Sequence, residues 1–283
     1  MVVYQNISEV RNYLKSSKGA KNIGLVPTMG ALHQGHKVLI DAAKAKADLI
    51  VASIFVNPIQ FNNASDYEKY PVDVDNDLGL LKAWGCDIVF MPQSNEMYGR
   101  KPIVEINHGQ LQKTMEGKFK PGHFNGVSIV VIKLLNIIQP HSVFFGQKDL
   151  QQVAIIRQLI EDFSFDIDLN VVPTSREING LAHSSRNRRL SEKERKLAPL
   201  FHEMLLKGKE MLLNGMTVQE TVSTITAEFD DIEKVSLEYF EIVDPITMQK
   251  IHQFNEEQSV ALCIAGSIGD VRLIDNILVE RLS

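Results

Sequence analysis

The sequence predicts an α/β protein with a Rossmann-like, doubly wound parallel sheet and a second, smaller α+β domain. Over roughly the first 180 residues, short apolar runs alternate with helical segments, which is the pattern of a parallel sheet. After that region the order changes to helices followed by strand-like runs, which is typical of an α+β domain. The chain has 283 residues, enough for two cores. We therefore predict two domains, at residues 1–180 and 181–283.

Hydrophobic periodicity predicts the elements of the first domain. Residues 8–15 have apolar side chains at helical spacing, which predicts a short helix. The run 49–56 is continuously apolar and β-branched, which is typical of a strand buried on both faces. Residues 125–138 are also rich in β-branched side chains, but their length favours a buried helix. The other predicted strands are 23–26, 87–91, 142–145 and 166–172, and the other predicted helices are 37–45, 73–84 and 150–163.

A capping box, Ser191-Glu192-Lys193-Glu194, predicts where the helices of the second domain begin. We expect helices at 192–213 and 218–229, separated by Asn214-Gly215. Strand-like runs follow at 235–243, 259–265 and 271–274. These three runs predict a small antiparallel sheet.

Composition and charge exclude several functional classes. The net charge is −5, which argues against bulk nucleic-acid binding by a basic surface. The two cysteines, Cys86 and Cys263, are far apart, so they predict neither a disulfide framework nor a metal motif, and they fit a reducing compartment. No apolar run reaches the ~18 residues that a membrane span needs, and the first residues lack the features of a signal peptide. We expect a cytoplasmic protein without membrane or nucleic-acid partners.

The segment from Pro27 to His36 is the strongest candidate for chemistry. It connects a predicted strand to a predicted helix and contains a His-x-Gly-His motif. His33 and His36 are three residues apart and share one helix face, while Gly35 lets a ligand approach the backbone. A helix N-terminus with two imidazoles suits nucleotide phosphates. Two alternatives remain: ordinary histidines at a helix start, or a zinc site, for which the neighbouring sequence supplies no convincing further ligands.

Polar residues also follow two other predicted strands. Asn57 and Gln60 come after the run 49–56, and Lys148 comes after the strand 142–145, with Gln152 one turn into the next helix. In an open α/β sheet, ligands bind at these carboxyl ends. We expect Asn57 and Gln60 to contact a substrate, with plain turn residues as the alternative for these two. Lys148 suits a phosphate, and Gln152 is expected to face the same crevice.

Three charged stretches have two interpretations each. The segment 184–189 has two hydroxyls and three arginines, which suits phosphate oxygens or a basic linker. The polar stretch 102–122, with Lys113, Lys118 and Lys120, is interpreted as a mobile flap near an anionic ligand or as an exposed loop. The carboxylates of Asp73, Asp75 and Asp77 are interpreted as a solvated helix start rather than metal ligands.

Five sequence blocks occur in order over nearly the whole chain. They are Pro27-Thr28-Met29-Gly30-Ala31-Leu32-His33-Gln34-Gly35-His36, Phe55-Val56-Asn57-Pro58-Ile59-Gln60-Phe61, Pro121-Gly122-His123-Phe124, Phe144-Phe145-Gly146-Gln147-Lys148-Asp149 and Ser184-Ser185-Arg186-Asn187. Together they resemble the pantothenate synthetase (pantoate–β-alanine ligase) family, a relative of the class I aminoacyl-tRNA synthetases. The resemblance implies an ATP-dependent ligase that forms pantoyl adenylate and pyrophosphate. β-Alanine then attacks the adenylate and releases AMP and pantothenate.

The resemblance also implies site residues. His36 resembles the proton-donating histidine of the family, and the other implied catalytic residues are His33, Lys148, Ser184, Ser185 and Arg186. The implied ATP-binding residues are Met29, Gly30, His33, Gly35, His36, Gly146, Gln147, Lys148, Asp149, Ser175, His183, Ser184, Ser185 and Arg186. The implied substrate-binding residues are Gln60 and Gln152 for pantoate, with Asn57 and His123 close by. Mg²⁺ is expected on the triphosphate without predicted protein ligands, and the family is typically homodimeric.

His183 departs from the family pattern, which usually has Met or Leu at this position. Its side chain adds a phosphate donor if it points inward. Two other functions stay open: a nucleotidyltransferase acting on a phosphorylated cofactor precursor, and a nucleotide sensor without catalysis. The pair Gln60 and Gln152 suits a hydroxy acid better than a second phosphate. Joint retention of the histidines, Lys148 and the Ser184-Ser185-Arg186 segment argues against the sensor.

Overall fold

The computed structural model describes residues 1–17, 21–63, 67–230, 232–255 and 257–280. Within these residues one sheet has six parallel strands in the order β1-β4-β3-β2-β5-β6. The strands are β1 (Val2–Tyr4), β2 (Ile23–Thr28), β3 (Leu49–Ile54), β4 (Ile88–Phe90), β5 (Ser142–Gly146) and β6 (Asp168–Val172). The chain adds β3 and β4 on one side of β2, and then β5 and β6 on the other. The order therefore reverses between β2 and β5.

Helices cover both faces of this sheet. They are α1 (Ile7–Ser17), α2 (Gln34–Lys46), α3 (Val74–Trp84), α4 (Ser94–Met97), α5 (Met115–Phe119), α6 (His123–Ile138) and α7 (Leu150–Asp162). One apolar cluster joins the sheet to α1, α6 and α7, and a second joins it to α2 and α3. The predicted doubly wound α/β class is confirmed. No helix in the described ranges is long and apolar enough to cross a membrane.

The second sheet is antiparallel and has the order β7-β8-β9. Its strands are β7 (Val235–Val243), β8 (Val260–Ile268) and β9 (Val271–Val279). Helices α8 (Glu192–Leu197), α9 (Leu200–Leu213) and α10 (Val218–Ala227) precede it, and their apolar side chains share a core with the strands. The predicted α+β character is therefore confirmed, while the boundary after residue 180 stays a prediction.

Several elements differ from the sequence-based expectation. The predicted helix 192–213 is two helices, because Pro199 interrupts it and stands at the N-cap of α9. Strand β9 continues to Val279 rather than ending at residue 274. Its second half contains the buried polar residues Asp275 and Asn276, which interrupt the hydrophobic pattern used for the prediction. The edge strand β1 was not predicted. The stretch 102–122 contains α5 and a 3₁₀ turn rather than only a loop.

Candidate active site

A cavity of about 310 Å³ lies at the carboxyl ends of β2 and β5. This is the position where the strand order reverses, and such positions are where open α/β sheets bind ligands. Residues from the start of α2, the end of β5, the segment 183–186 and the C-terminal sheet all line the cavity. Both sheets therefore contribute to one site.

Two histidines at the start of α2 cap the helix with their own rings. His33 is the N-cap, and its Nδ1 accepts a hydrogen bond from the N–H of Gly35 at 3.0 Å. The Nδ1 of His36 accepts from the N–H of His33 at 3.3 Å. Because each Nδ1 is an acceptor, each neutral ring carries its proton on Nε2. Both rings line the cavity, so each can offer an Nε2–H donor to a ligand.

Both rings are held neutral in the free protein. Burial, followed by the neighbouring His36 and Lys148, lowers the pKa of His33 to about 2. Burial also lowers the pKa of His36 to about 4, although Asp149 opposes this shift. The ring centroids are 4.2 Å apart, so charging one ring opposes charging the other. In the free protein these imidazoles are therefore neutral hydrogen-bond donors through Nε2.

The turn before α2 is fixed by Asp77, whose environment was predicted wrongly from the sequence. Asp77 is 1% exposed, not solvated, and its carboxylate accepts the N–H groups of Ala31 at 2.8 Å and Leu32 at 2.7 Å. Gly30 has φ 80°, and a Cβ there would lie 2.8 Å from the Asp77 carboxylate. The carboxylate thus shapes the loop that delivers His33 to the cavity. Asp73, by contrast, is the helix N-cap, as its acidic position suggested.

Two side chains fix the orientation of Gln60, which lines the cavity. Its Oε1 accepts from Asn57 Nδ2 at 3.0 Å, and its Nε2 donates to Met29 Sδ at 3.1 Å. Asn57 is 1% exposed and also accepts from the hydroxyl of Tyr98 at 2.8 Å. Asn57 itself does not line the cavity, so the structure places it behind Gln60. Gln152, the second predicted amide, does line the cavity.

The cationic side of the cavity combines two segments. Lys148 lies in the 3₁₀ turn after β5, and Ser184 caps a second 3₁₀ turn by accepting from the N–H of Arg186 at 3.2 Å. Asn276 on β9 holds the first turn, since its Nδ2 donates to the carbonyls of Gln147 at 3.0 Å and Lys148 at 2.9 Å. A strand of the second sheet therefore positions a cation of the first.

Most of the predicted site residues meet in this one cavity. Those that line it are Met29, His33, Gly35, His36, Gln60, His123, Gly146, Lys148, Asp149, Gln152, Ser175, His183, Ser184, Ser185 and Arg186. Three predicted residues are not in its lining: Gly30, Asn57 and Gln147. Gly30 lies against Asp77, and Gln147 donates to Asn276 at 3.2 Å. These three support neighbouring residues that do line the cavity.

His183 points inward. Its ring lies nearly parallel to that of His33 with centroids 6.4 Å apart, and its Nδ1 is 3.2 Å from the hydroxyl of Ser175. The side chain lines the cavity. The imidazole at this unusual position therefore faces the same space as the two histidines of α2.

An ionic network on one wall of the cavity was not predicted from the sequence. Glu116 forms ion pairs with Lys120 at 2.6 Å and with Arg272 at 2.5 Å, and it accepts from the hydroxyl of Tyr239 at 3.1 Å. Arg272 also pairs with Glu238 at 2.7 Å. These cations keep the pKa of Glu116 well below its usual range despite the burial of the carboxylate. Most of the partners are far apart in sequence, so no local pattern could have identified the network.

A family model described as pantoate-beta-alanine ligase matches residues 2–278 of this chain. A pantothenate synthetase from Cytophaga hutchinsonii is 42% identical over 281 residues, which is 99% of each chain. One from Thermoanaerobacter sp. (strain X514) is 42% identical over 280 residues, which is 98% of each chain.

Solved structures agree with these sequence relatives. The crystal structure of a pantothenate synthetase from Thermus thermophilus has a TM-score of 0.90 at 36% identity, covering 98% of this chain and 99% of the other. A pantoate-β-alanine ligase from Francisella tularensis, complexed with β-γ ATP and β-alanine, has a TM-score of 0.82 at 35% identity. That match covers 98% of this chain and 97% of the Francisella chain.

Proposed function

The chain belongs to the family of pantoate–β-alanine ligases, and we propose that it makes pantothenate from pantoate, β-alanine and ATP by way of pantoyl adenylate. The observation that carries this proposal is the single cavity that combines Nε2–H donors, Lys148 and two side-chain amides. Such a set suits a nucleotide triphosphate next to a small hydroxy acid.

In the first step, the pantoate carboxylate attacks the α-phosphorus of ATP and pyrophosphate leaves. The protein's task is to position the two molecules and to stabilise the charge that builds on the phosphate oxygens. His33 and His36 are placed to donate from Nε2, with the N-terminus of α2 adding free N–H groups. We assign Lys148, Ser184, Ser185 and Arg186 to the departing phosphates, and His36 to the main proton-donating role.

We assign the remaining lining residues to the nucleotide and to pantoate. We assign Gly35 and Met29 to the border of the ATP site and Asp149 to the ribose, since all three line the cavity. Gln60 has a fixed amide orientation, with Asn57 on its carbonyl side, which leaves its N–H₂ group toward Met29 and the cavity. Gln60 and Gln152 therefore suit the hydroxyl and carboxylate oxygens of pantoate.

Mg²⁺ is proposed to enter on the ATP triphosphate. Among the described residues, no group of three or more His, Cys, Asp or Glu side chains could hold a metal ion. A magnesium ion bound mainly by phosphates and water fits such a site. The homodimer is proposed from the family resemblance. The cytoplasmic location is proposed because the two cysteines are free, which fits a reducing compartment.

The second step joins the β-alanine amine to the acyl carbon of the adenylate. The amide bond forms, the bond from the acyl carbon to the AMP oxygen breaks with its electron pair going to AMP, and the nitrogen releases its proton. Holding the amine beside the reactive acyl group supplies most of the rate. Both substrates must therefore occupy one enclosed space.

Pyrophosphate release tests this proposal. The enzyme is given ATP and Mg²⁺, first alone, then with pantoate, and then with β-alanine added. We expect release that depends on pantoate and AMP turnover that accelerates with β-alanine. Release without pantoate dependence would overturn the proposal and favour a nucleotidyltransferase, which phosphorylated acceptors would then test.

A further inference from the structure

β-Alanine, the second substrate, carries a carboxylate and an ammonium group, and no residue has yet been assigned to either. β-Alanine keeps its carboxylate throughout the reaction, because only its amine reacts. A carboxylate in an enclosed cavity needs a cation, and the incoming ammonium group needs an acceptor. This inference rests on the proposed function and asks which residues meet these demands.

Two lysines, Lys120 and Lys148, line the cavity. The positive charge of Lys148 lowers the pKa of both His33 and His36. Lys148 therefore lies near these two rings and the proposed phosphate site. Lys120 acts instead on His123 and, after burial, lowers the pKa of that ring. Lys120 comes three residues before the start of α6 and lies near both His123 and Arg186, and no role has been assigned to it.

Lys120 has the capacity to bind a second anion. Its ammonium pairs with Glu116 at 2.6 Å, and Glu116 is the hydrogen-bond partner that the described part of the chain gives it. Glu116 is also compensated by Arg272 at 2.5 Å and accepts from Tyr239 at 3.1 Å. An ammonium group has three donors, so two remain for a ligand. The side chain is 25% exposed, which keeps it reachable from the cavity.

His123, three residues after Lys120, is an acceptor. Its Nδ1 lies 2.8 Å from the carbonyl oxygen of Gln60, which can only accept, so Nδ1 carries the proton. Nε2 therefore has a free lone pair, the opposite of the arrangement in His33 and His36. Burial lowers the pKa of His123, which keeps the ring neutral and able to accept. The N–H of His123 donates to the carbonyl of Lys120 at 3.1 Å, which fixes the two residues relative to each other.

We propose that β-alanine binds along the start of α6, with its carboxylate on Lys120 and its ammonium group on Nε2 of His123. Glu116 holds Lys120 through their ion pair and is itself held by Arg272, so Lys120 determines the preference for an amine that carries a carboxylate. Gln60 links the two substrates, because its side chain faces pantoate and its carbonyl holds His123.

The first test uses the wild-type enzyme. β-Alaninamide has the same length and amine as β-alanine but lacks the negative charge. We expect kcat/KM for β-alaninamide to be about 10- to 100-fold lower, the effect of losing one charge-assisted hydrogen bond. Equal values for the two amines would overturn the proposal without any need for a variant.

The second test uses Lys120→Met with Lys118→Met as the matched control, since Lys118 is exposed and does not line the cavity. We expect Lys120→Met to raise the KM for β-alanine about 10- to 100-fold and to abolish the preference over β-alaninamide. Lys118→Met should keep the wild-type KM for β-alanine and the wild-type preference over β-alaninamide. A Lys120→Met enzyme that still prefers β-alanine by the wild-type factor would contradict the assignment.

Pantoate-dependent exchange of pyrophosphate into ATP separates this inference from the proposed function. The exchange reports adenylate formation without β-alanine, and it also shows that the Lys120→Met variant is folded. Absence of exchange in the wild-type enzyme would contradict the proposed function. Normal exchange together with an unchanged KM for β-alanine in the variant would contradict only the β-alanine site.

Discussion

A hydrogen bond to the backbone determines which ring nitrogen of His36 faces the cavity. His36 is held through Nδ1, so the donor that it offers to a ligand is Nε2. We expect His36→Ala to lower kcat about 10²- to 10³-fold, the effect of losing one preorganised donor to developing charge. Pyrophosphate release at saturating ATP and pantoate measures this. Activity within about threefold of wild type would remove His36 from the mechanism.

The burial of His36 also makes stability depend on pH. Its pKa is about 4 in the folded protein against an ordinary value of 6.5, so the unfolded chain binds more protons between these values. The free energy of unfolding therefore falls as the pH drops through this window. His36→Asn keeps an acceptor near the Nδ1 position without a titrating group. We expect urea unfolding to show a loss between pH ~7 and pH ~4 that is smaller in His36→Asn by roughly 1–3 kcal/mol.

Gln60 is expected to distinguish pantoate from ATP. Gln60→Ala removes the amide that faces the proposed pantoate site, while the histidines and Lys148 stay in place. We expect the KM for pantoate to rise about tenfold or more and the KM for ATP to change less than about threefold. Steady-state kinetics with each substrate varied in turn provides the measurement. Equal losses for the two substrates would refute the assignment of Gln60.

Among the secondary-structure elements, α3 supports the turn before α2 through one buried carboxylate. Asp77→Asn replaces an acceptor of two N–H groups by an amide that can accept only one of them and presents its own N–H₂ to the other. We expect unfolding to be easier by about 1–3 kcal/mol and the KM for ATP to rise, because His33 loses its fixed position.

The matched control is Asp75→Asn in the same helix turn, where the side chain is exposed. Its free energy of unfolding should stay within about 0.5 kcal/mol of wild type. Urea denaturation and ATP kinetics on both variants complete the comparison. A similar effect in the two variants would mean that helix charge, not the contact with the turn, explains the result.

Local patterns predicted the elements that depend on neighbours in sequence. The turn from β2 into α2 was predictable, because the strand, Gly30 and the helix start all lie close together along the chain. The role of Asp77 was not, since it accepts from residues 45 and 46 positions earlier. An acidic side chain in a first helical turn has the same sequence pattern whether it is solvated or buried. Only the packing of α3 against the turn distinguishes the two.

In the molecule as a whole, side chains of the second sheet complete the site of the first. Arg272 reaches Glu116 across 156 residues, and Arg176 pairs with Asp275 at 2.6 Å across 99 residues. Contacts of this separation have no local sequence signature, so the α+β character of the C-terminal region could be predicted but its contribution to the cavity could not. The C-terminal region therefore contributes to the wall of the cavity.

Asn276 provides the most direct test of that contribution. It holds the turn that carries Lys148 by donating to two carbonyls and accepting from Gln147. Asn276→Ala removes these hydrogen bonds, so Lys148 loses its fixed position while its charge remains. We expect the KM for ATP to rise about tenfold and kcat to fall, because misplacement of the cation proposed to bind phosphate costs transition-state stabilisation. ATP–pyrophosphate exchange measures both effects.

Asn255→Ala, at an exposed position between β7 and β8, is the control and should retain wild-type kinetics. Near-UV circular dichroism of Asn276→Ala must match wild type, which separates a displaced Lys148 from a lost second core. If Asn276→Ala keeps the wild-type exchange rate and a native spectrum, then β9 lines the cavity but does not position Lys148. If exchange weakens while the spectrum stays native, the phosphate site of the first sheet depends on a hydrogen bond from the second, and the two sheets act as one catalytic unit.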